Sequence, residues 1–349
     1  MSGRVDAVTV TGDQTTAATD VSNDPYASSV GTKRRNPCVT VTLVAAVVGL
    51  AAYAVLRLFV SGVLDTDGNR YTAAALALNP YAALTGALLA AIALLARRWW
   101  TAALAVALSV ALAATLMPRV LADPQPAASG PTIRVLALNM YFGNAAAEDV
   151  VQLVRERAID VLALLELDPA AVSALDTAGL DGVMPHRVFE PAGAAVGSGI
   201  ASRHPLRELS LAGPSLLAQP SARVRIGETD VEVVAVHPVV PVSNVVKWRQ
   251  ELRDMPAAPN DGPARILAGD FNATLDHAAF RRVLDSGYVD AAEQTGAALE
   301  TTWPRRRSAP PVTLDHVLVD ARAAVRDFEV IDVDGSDHSA VFAAVTLPS

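Results

Sequence analysis

The sequence has little of several residue types, and each shortage excludes a class of protein. Cys38 is the single cysteine among 349 residues, so neither an internal disulfide nor a cysteine-based zinc site can form. Charged residues make up 18% of the chain and aromatic residues 5%, whereas apolar residues reach 52%. With a mean hydropathy of +0.32, this composition excludes an intrinsically disordered chain and a polybasic protein that packs nucleic acid.

Charge and histidine are distributed unevenly along the chain. The first 130 residues contain nine Lys/Arg, seven Asp/Glu and no histidine. The remainder carries a net charge of −10 and all six histidines. The chain therefore divides into an apolar first part and an acidic second part that holds the residues with catalytic chemistry.

Three long apolar stretches occupy the first part, at residues 38–60, 71–96 and 101–117. Three such stretches in succession, with almost no polar face, cannot all be buried inside one small domain. The sequence therefore predicts a membrane domain over residues 38–120 with three transmembrane helices. Asn79-Pro80 predicts a kink in the second helix, and Arg57 is expected to extend its side chain to the membrane interface.

The flanking segments set the predicted orientation. Residues 1–37 lack a helical or strand period and predict a disordered tail. If the chain crosses the membrane three times, one side of the membrane carries Lys33, Arg34, Arg35, Arg97 and Arg98. The other side carries Arg70 and Arg119. Because basic residues concentrate on the cytoplasmic side, we expect a multi-pass protein of the cell membrane with a cytoplasmic N-terminus, a linker at residues 121–131 and an extracytoplasmic domain at residues 132–349. A cleavable signal peptide fits less well, because thirty-seven residues precede the first apolar stretch.

The second part alternates short apolar runs with a few helical patterns. Predicted strands are residues 133–138, 160–165, 199–201, 223–226, 231–236, 265–268, 313–319, 324–333 and 340–346, and predicted helices are residues 145–157, 242–255 and 276–284. Many strands with few helices are typical of a sheet-rich α/β or α+β domain.

Polar residues recur where these apolar strands end. They are Asn139, Glu166, His237, Asp270, Asn272, Asp315, Asp337 and His338. Residues at strand ends are held by a rigid scaffold, so we expect them to form a site on one rim of the domain.

These residue types suit a hard divalent cation and a phosphate ester. Mg²⁺ prefers a few oxygen ligands from the protein, and the carboxylates and amides of this set supply them. Phosphoester hydrolysis also needs an activated water and stabilised phosphoryl charge, for which His237 and His338 are candidates, with Asp315 as a partner that orients an imidazole. Arg203 is predicted to contact phosphate, with packing at a strand end as the alternative.

In order and spacing, the motifs resemble the endonuclease/exonuclease/phosphatase family, the deoxyribonuclease I-like enzymes. The motifs are Leu138-Asn139-Met140, Leu164-Leu165-Glu166, Gly199-Ile200-Ala201-Ser202-Arg203, Val236-His237-Pro238, Gly269-Asp270-Phe271-Asn272, Leu314-Asp315-His316 and Ser336-Asp337-His338. The resemblance implies an α+β fold, a four-layer α/β/β/α sandwich of two packed sheets flanked by helices, with a site that uses Mg²⁺ or Mn²⁺.

The resemblance also implies a role for each residue. Glu166 is the principal metal ligand, with Asn139 and Asp337 assisting. Asp270 and Asn272 polarise the attacking water, and Asn272 also contacts phosphate. His338, oriented by Asp315, is catalytic or binds phosphate, and His237 is a candidate proton donor to the leaving group.

The substrate is predicted from charge and layout. A catalytic domain at net −10 is a poor platform for a polyanion, which argues against a nucleic-acid partner and favours a small or lipid-linked phosphoester. The three apolar stretches and Thr302-Trp303-Pro304 resemble a membrane-anchored branch, the membrane proteins associated with glycopeptide-antibiotic resistance. Arg305-Arg306-Arg307 either meets anionic headgroups or is a solvated loop. The alternative functions are an extracellular nuclease and a non-catalytic ligand-binding or sensor module.

Overall fold

An N-terminal group of apolar helices precedes a domain built from two β-sheets. The computed structural model describes residues 7, 9, 12, 36–305 and 309–349. The predicted disordered tail at residues 1–37 therefore lies almost wholly outside the described residues. The helices of the first part are α1 (Pro37–Ala54), which continues as a π-helical segment (Val55–Ser61), then α2 (Arg70–Leu76), α3 (Asn79–Leu95), α4 (Trp99–Ala114) and a short 3₁₀ turn (Met117–Val120).

Helices α1, α3 and α4 pack closely through small residues. A Cβ atom on Gly86 of α3 would lie 2.9 Å from Cβ of Ser109 on α4 and 3.0 Å from a methyl carbon of Leu50 on α1. Ser109 Oγ donates a hydrogen bond to the Ala83 carbonyl at 2.6 Å. Small residues at helix crossings, with a hydroxyl bonded between helices, are the packing mode found in apolar surroundings.

The prediction of three transmembrane helices is corrected by the helix lengths. One continuous helix, Pro37–Ser61, is long and apolar enough to cross a membrane. Helices α2 and α3 are long and apolar enough to cross a membrane only if they are counted together, and the chain bends by 68° at the break between them. This break confirms the kink expected at Asn79-Pro80, and α4 has only 16 residues. The described residues therefore contain one candidate span, or two if the bent pair is counted as one.

Two mixed sheets of six strands form the second part. Their orders are β11-β12-β1-β2-β4-β3 and β5-β6-β7-β8-β10-β9. The strands are β1 (Thr132–Asn139), β2 (Val161–Leu165), β3 (His186–Glu190), β4 (Ser198–Ser202), β5 (Leu206–Leu209), β6 (Ser221–Ile226), β7 (Thr229–Val236), β8 (Ala264–Asp270), β9 (Tyr288–Asp290), β10 (Asp315–Asp320), β11 (Ala324–Asp332) and β12 (Ser339–Thr346). The helices are α5 (Ala147–Glu156), α6 (Pro169–Thr177), α7 (Leu180–Val183), α8 (Pro241–Arg253), α9 (Ala278–Leu284) and α10 (Ala291–Thr295).

The alternation of side chains along β1 places this strand between two apolar layers. Val135 and Ala137 join the core that contains the second sheet, whereas Leu136 and Leu138 pack with residues of α5, α6 and α7. Successive strand residues face opposite sides, so a strand buried on both faces is apolar throughout. The predicted α+β architecture of two packed sheets flanked by helices is confirmed.

The strands that the sequence pattern missed are β3, β5 and β9. All three lie at the edge of a sheet. They are short, and β3 and β5 carry few buried side chains, so no apolar run marks either of them.

Residues 121–131, predicted as a linker, contain neither helix nor strand and lie along the surface of the sandwich. Gln125 donates from Nε2 to the Gln294 carbonyl at 3.3 Å and accepts from the Val325 amide at 2.8 Å. Gly130 N donates to the Leu347 carbonyl at 3.0 Å. The segment therefore holds the first part of the chain against the domain.

The two parts are joined by a buried carboxylate, Asp276, which stands in the segment before α9. Arg57 Nε lies 2.5 Å from Asp276 Oδ1, and Arg119 donates to both carboxylate oxygens at 2.7 and 2.8 Å. Asn79 Nδ2 adds a fourth donor at 2.9 Å. Arg57 therefore does not extend to the membrane interface as expected, because its guanidinium is buried in this ion pair. We call these four residues the Asp276 anchor.

We predict that Asp276→Asn destabilises the full chain by about 3–5 kcal/mol, because it leaves two buried guanidinium groups without a counter-charge. The measurement is chemical denaturation of the full chain, compared with Asp285→Asn, an exposed carboxylate just after α9. Equal midpoints for the two variants would contradict a stabilising role of the anchor.

The same carboxylate makes stability depend on acid. Burial by itself raises the pKa of a carboxyl, but Arg119 and Arg57 outweigh it and hold the pKa of Asp276 below its usual range. Its contribution is thus complete above the unfolded-state pKa near 3.9 and is lost as the pH falls through the depressed folded-state pKa. Asp276→Asn removes this part of the acid sensitivity.

Candidate functional site

In the first sheet, strand directions bring three candidate residues to one rim. Strands β1 and β2 are parallel, so Asn139 at the end of β1 and Glu166 just after β2 lie side by side. Strand β12 is antiparallel to β1 and therefore begins at the same rim, immediately after His338. Ser336 joins the two segments, because its Oγ donates to the Asn139 carbonyl at 2.7 Å and accepts from the His338 amide at 3.0 Å.

The second sheet repeats this arrangement. Strands β7 and β8 are parallel, and they place His237 just after β7 and Asp270 at the end of β8. Strand β10 is antiparallel to β8, and Asp315 pairs directly with Asp270 in the register. The prediction that polar strand ends share one rim thus agrees with the topology.

Two carboxylates share one amide at this rim. Asn139 Nδ2 donates to Glu166 Oε1 at 3.1 Å and to Asp270 Oδ2 at 3.2 Å. His237 Nε2 lies 3.9 Å from each of these two oxygens. The Phe142 amide donates to the other Glu166 oxygen at 2.8 Å. The two carboxylates therefore offer oxygen ligands of the kind that a hard cation prefers.

Asn139 presents its nitrogen, and not its oxygen, to these carboxylates. Its Oδ1 accepts from the Tyr141 amide at 2.9 Å. In this arrangement the side chain orients Glu166 and Asp270, and the assisting role of Asn139 at a metal stays a prediction. The backbone here is strained, since Tyr141 and Phe142 have φ of 49° and 54° and Glu166 has φ of 56°.

The surroundings of His338 favour the charged form of its ring. Its Nδ1 lies 2.9 Å from Asp315 Oδ2, and its Nε2 lies 3.8 Å from Asp270 Oδ2. Burial opposes the charged ring, but the carboxylates of Asp315 and Asp270 outweigh it and raise the pKa of His338 to about 10.

The pKa of His237 is shifted in the opposite direction. The residue is buried, and this burial lowers the pKa of its imidazole. The Gln219 side chain accepts from the His237 amide at 3.0 Å, but the ring nitrogen Nδ1 has no hydrogen-bond partner among the described residues. Sequence reasoning placed no acidic partner for this histidine, and the carboxylates nearest its ring, Glu166 and Asp270, lie 3.9 Å from Nε2.

Asp270 and Asn272 form a tight turn that fixes both side chains. Asp270 Oδ1 accepts from the Asn272 amide at 2.8 Å, and Asn272 Nδ2 donates to the Pro238 carbonyl at 3.0 Å. Asn272 has φ of 49°, a conformation that asparagine tolerates better than most residues. Burial raises the pKa of Asp270.

Two contacts at the site were not assigned from sequence. Trp303 Nε1 donates to Asp337 Oδ2 at 3.1 Å, and its ring lies 6.2 Å from that of His338. The sequence signal for Trp303 was the Thr302-Trp303-Pro304 motif. The Phe142 amide had no signal, because a backbone donor is independent of residue type.

Arg203 is not brought to the site. Strand β4 runs antiparallel to β2, so its end lies at the start of β2, the rim opposite Glu166. The Arg203 guanidinium donates to the Ile159 carbonyl at 2.7 Å and lies 3.5 Å from Asp160. The predicted phosphate contact is therefore replaced by the alternative, packing at a strand end.

The basic cluster after Trp303 is described only at its first residue. Arg305 Nε lies 3.1 Å from Asp332 Oδ1, and a second guanidinium nitrogen lies 3.8 Å from Asp334. Arg306 and Arg307 lie outside the described residues. Arg305 is thus neutralised by carboxylates of its own chain.

A cavity of about 430 Å³ opens over the rim. Six predicted residues line it, namely Glu166, His237, Asp270, Asn272, Asp337 and His338. Asn139 and Asp315 are buried beside them. Asp270, Asp315 and His338 place ligand atoms within 4.8 Å of one another, a spacing that could hold a metal ion. The Glu166 and Asp270 carboxylates, which share the Asn139 amide, are further oxygen donors of the kind that a hard cation prefers.

We predict that Asp315→Asn lowers the pKa of His338 by roughly one to three units, because it removes the negative charge beside Nδ1. The measurement is a pH titration of the His338 ring signals by NMR. Asp334→Asn is the matched control, since this side chain is 87% exposed and lies four residues before His338. An unchanged titration in Asp315→Asn would refute the ion pair as the source of the raised pKa.

Comparison with known proteins agrees with this arrangement. The sequence profile of the Endonuclease/Exonuclease/phosphatase family matches residues 136–338. No curated protein matches the chain. A humanised form of D. rerio TDP2 is 18% identical with a TM-score of 0.50, over 61% of this chain and 98% of that one.

An endonuclease/exonuclease/phosphatase family protein from Leptotrichia buccalis is 15% identical with a TM-score of 0.48, over 61% of this chain and 99% of that one. At these identities only the fold is compared, and the likeness to the D. rerio protein supports the two-sheet sandwich. The profile match covers more than half of the chain and ends at His338. The chain belongs to the endonuclease/exonuclease/phosphatase family.

Proposed function

We propose that the protein is a divalent-metal-dependent phosphoesterase that hydrolyses a lipid-linked phosphate or diphosphate at the outer face of the cytoplasmic membrane. One observation carries the proposal. Within a single cavity, the rim gathers the Glu166 and Asp270 carboxylates at one amide and two imidazoles whose pKa values are shifted in opposite directions. Divergent pKa values in one site are the mark of assigned acid and base roles.

The donor set fits Mg²⁺ or Mn²⁺. Glu166 and Asp270 would hold the ion with oxygen atoms, and Asp337, which lines the same cavity, would assist. When bound, the ion polarises a phosphoryl oxygen and lowers the pKa of a bound water. Asn139 and the Phe142 amide keep the Glu166 carboxylate in place through their hydrogen bonds.

The remaining residues divide the proton transfers and the binding of charge. His338, held as an imidazolium by Asp315, would stabilise phosphoryl charge and donate a proton to the leaving group. The lowered pKa of His237 suits a neutral ring that accepts a proton, which is the reverse of the donor role implied by the family resemblance. Asp270 and Asn272 would orient the attacking water, and Asn272 would also contact phosphate.

The membrane location is proposed from exposed apolar side chains. Val48, Leu84 and Leu95 on the N-terminal helices are exposed by 62, 69 and 86%, although they are large and apolar. Such a surface is stable in an apolar medium and costs free energy in water. The proposed outer location of the catalytic domain is supported by the positive-inside tendency, with Pro37–Ser61 as the span and Lys33, Arg34 and Arg35 before it. The Thr302-Trp303-Pro304 motif behind an apolar N-terminal part supports a place in the membrane-anchored branch associated with glycopeptide resistance.

We predict that the purified full chain hydrolyses phosphomonoesters or phosphodiesters with Mg²⁺ or Mn²⁺ and loses this activity with EDTA. Glu166→Ala and His338→Ala should each lower the rate by about a hundredfold or more, because one removes a metal ligand and the other a proton donor. Glu228→Gln is the control, since its side chain is 98% exposed in the turn between β6 and β7.

The same preparation separates the competing functions. Activity that survives chelation and both substitutions would reject the mechanism. Rapid nicking of supercoiled plasmid would make a nuclease the better description, and binding of phosphoesters without turnover would favour a sensor module.

A further inference from the structure

The cavity over the catalytic rim has one wall that lies outside the matched family region. Ala73, Ala74, Ala77 and Leu78, from α2 and the turn after it, line the same cavity as Glu166 and the two histidines of the rim. The family profile begins only at residue 136. The two-sheet domain therefore does not enclose its site by itself, and the N-terminal helices complete it.

This wall is held rigidly against the catalytic domain. The ring nitrogen Nε2 of His277 lies 2.8 Å from the Ala73 carbonyl oxygen, and Ala73 is fully buried. Asp67, just before α2, accepts from the Ala278 and Ala279 amides at 2.6 and 3.0 Å, at the start of α9. Both contacts lie next to the Asp276 anchor in sequence, so the anchor and the wall are one docked unit.

The wall and the surfaces facing it are apolar, whereas the base of the cavity carries the charged residues of the rim, among them Glu166, Asp270 and His338. Phe142, Val240, Pro241, Val242 and Pro310 line the cavity together with α2. Phe142, Val240 and Val242 remain about half exposed, although they are large apolar residues. A cavity with an apolar entrance and convergent polar groups at its base matches a ligand with an apolar arm and a charged head.

We infer that α2 and the turn after it form the specificity wall for the apolar arm of an amphiphilic phosphoester, whose chain lies between α2 and the Val240–Val242 segment. This inference rests on the proposed function for the position of the phosphate head. The alanine side chains of the wall leave room for a chain, and a larger side chain at Ala74 or Ala77 would occupy that room.

The test measures binding and does not depend on turnover. Calorimetry gives the affinity of n-alkyl phosphonates from methyl to octyl for the full chain in nanodiscs with Mg²⁺, after subtraction of empty nanodiscs. For the wild type we expect the affinity to rise about fourfold for each methylene that is buried in the cavity. Ala77→Phe should flatten this dependence on chain length.

Two further variants complete the comparison. Ala74→Phe alters an exposed position of the same wall and should also flatten the dependence, without changing a buried site. Ala87→Phe changes an exposed position on α3 that does not line the cavity and should keep the wild-type dependence. A chain-length dependence equal in all four proteins, or no binding of any phosphonate, would overturn the inference.

The experiments distinguish a failure of the specificity wall from a failure of the proposed phosphoesterase function. Hydrolysis of small phosphoesters with no chain-length effect would leave the phosphoesterase standing and remove the specificity wall. A chain-length effect lost in Ala74→Phe and Ala77→Phe, in a protein that hydrolyses nothing, would keep the wall and remove the phosphoesterase.

Discussion

Two parallel strand pairs, one in each sheet, determine where every candidate catalytic group lies. Parallel strands end at the same edge, and β1–β2 and β7–β8 end at the same rim of the sandwich. Antiparallel neighbours β12 and β10 begin at that rim and bring His338 and Asp315 to it. Because strand register is specified by burial on both faces, the positions of the site residues are set by the core.

Electrostatics at the rim depends on this convergence. Glu166 and Asp270 meet at one amide, and the imidazole of His338 lies between Asp315 and the same Asp270 carboxylate. The same burial therefore has different results for the two histidines. His338 has carboxylate partners that outweigh desolvation, whereas His237 lacks a hydrogen-bonded partner for Nδ1 among the described residues and desolvation prevails.

The Asp276 anchor connects the apolar helices to this chemistry. It follows the Gly-Asp-Phe-Asn turn by a few residues, so the segment that carries Asp270 and Asn272 continues directly into the interface with α2. Removing one partner of a buried ion pair leaves an uncompensated buried charge, so the anchor favours this one arrangement of the two parts. Here that arrangement places α2 over the catalytic cavity.

The sequence by itself determined the sheet-rich class of the second part, most of its strands and the polar residues at their ends, whereas the two-sheet sandwich was implied by the family resemblance. Local periodicity and strand-end polarity are properties of short segments, which is why β1, β2, β7 and β8 were recognised and the short edge strands were not. Which of these segments lie next to one another in space was decided only by tertiary packing. Packing placed Arg203 at the opposite rim, turned the Asn139 amide nitrogen toward the carboxylates, buried Arg57 against Asp276 and brought α2 to the cavity. These outcomes depend on contacts between residues far apart in the chain and on the low dielectric that such contacts create, and neither is encoded in any local pattern.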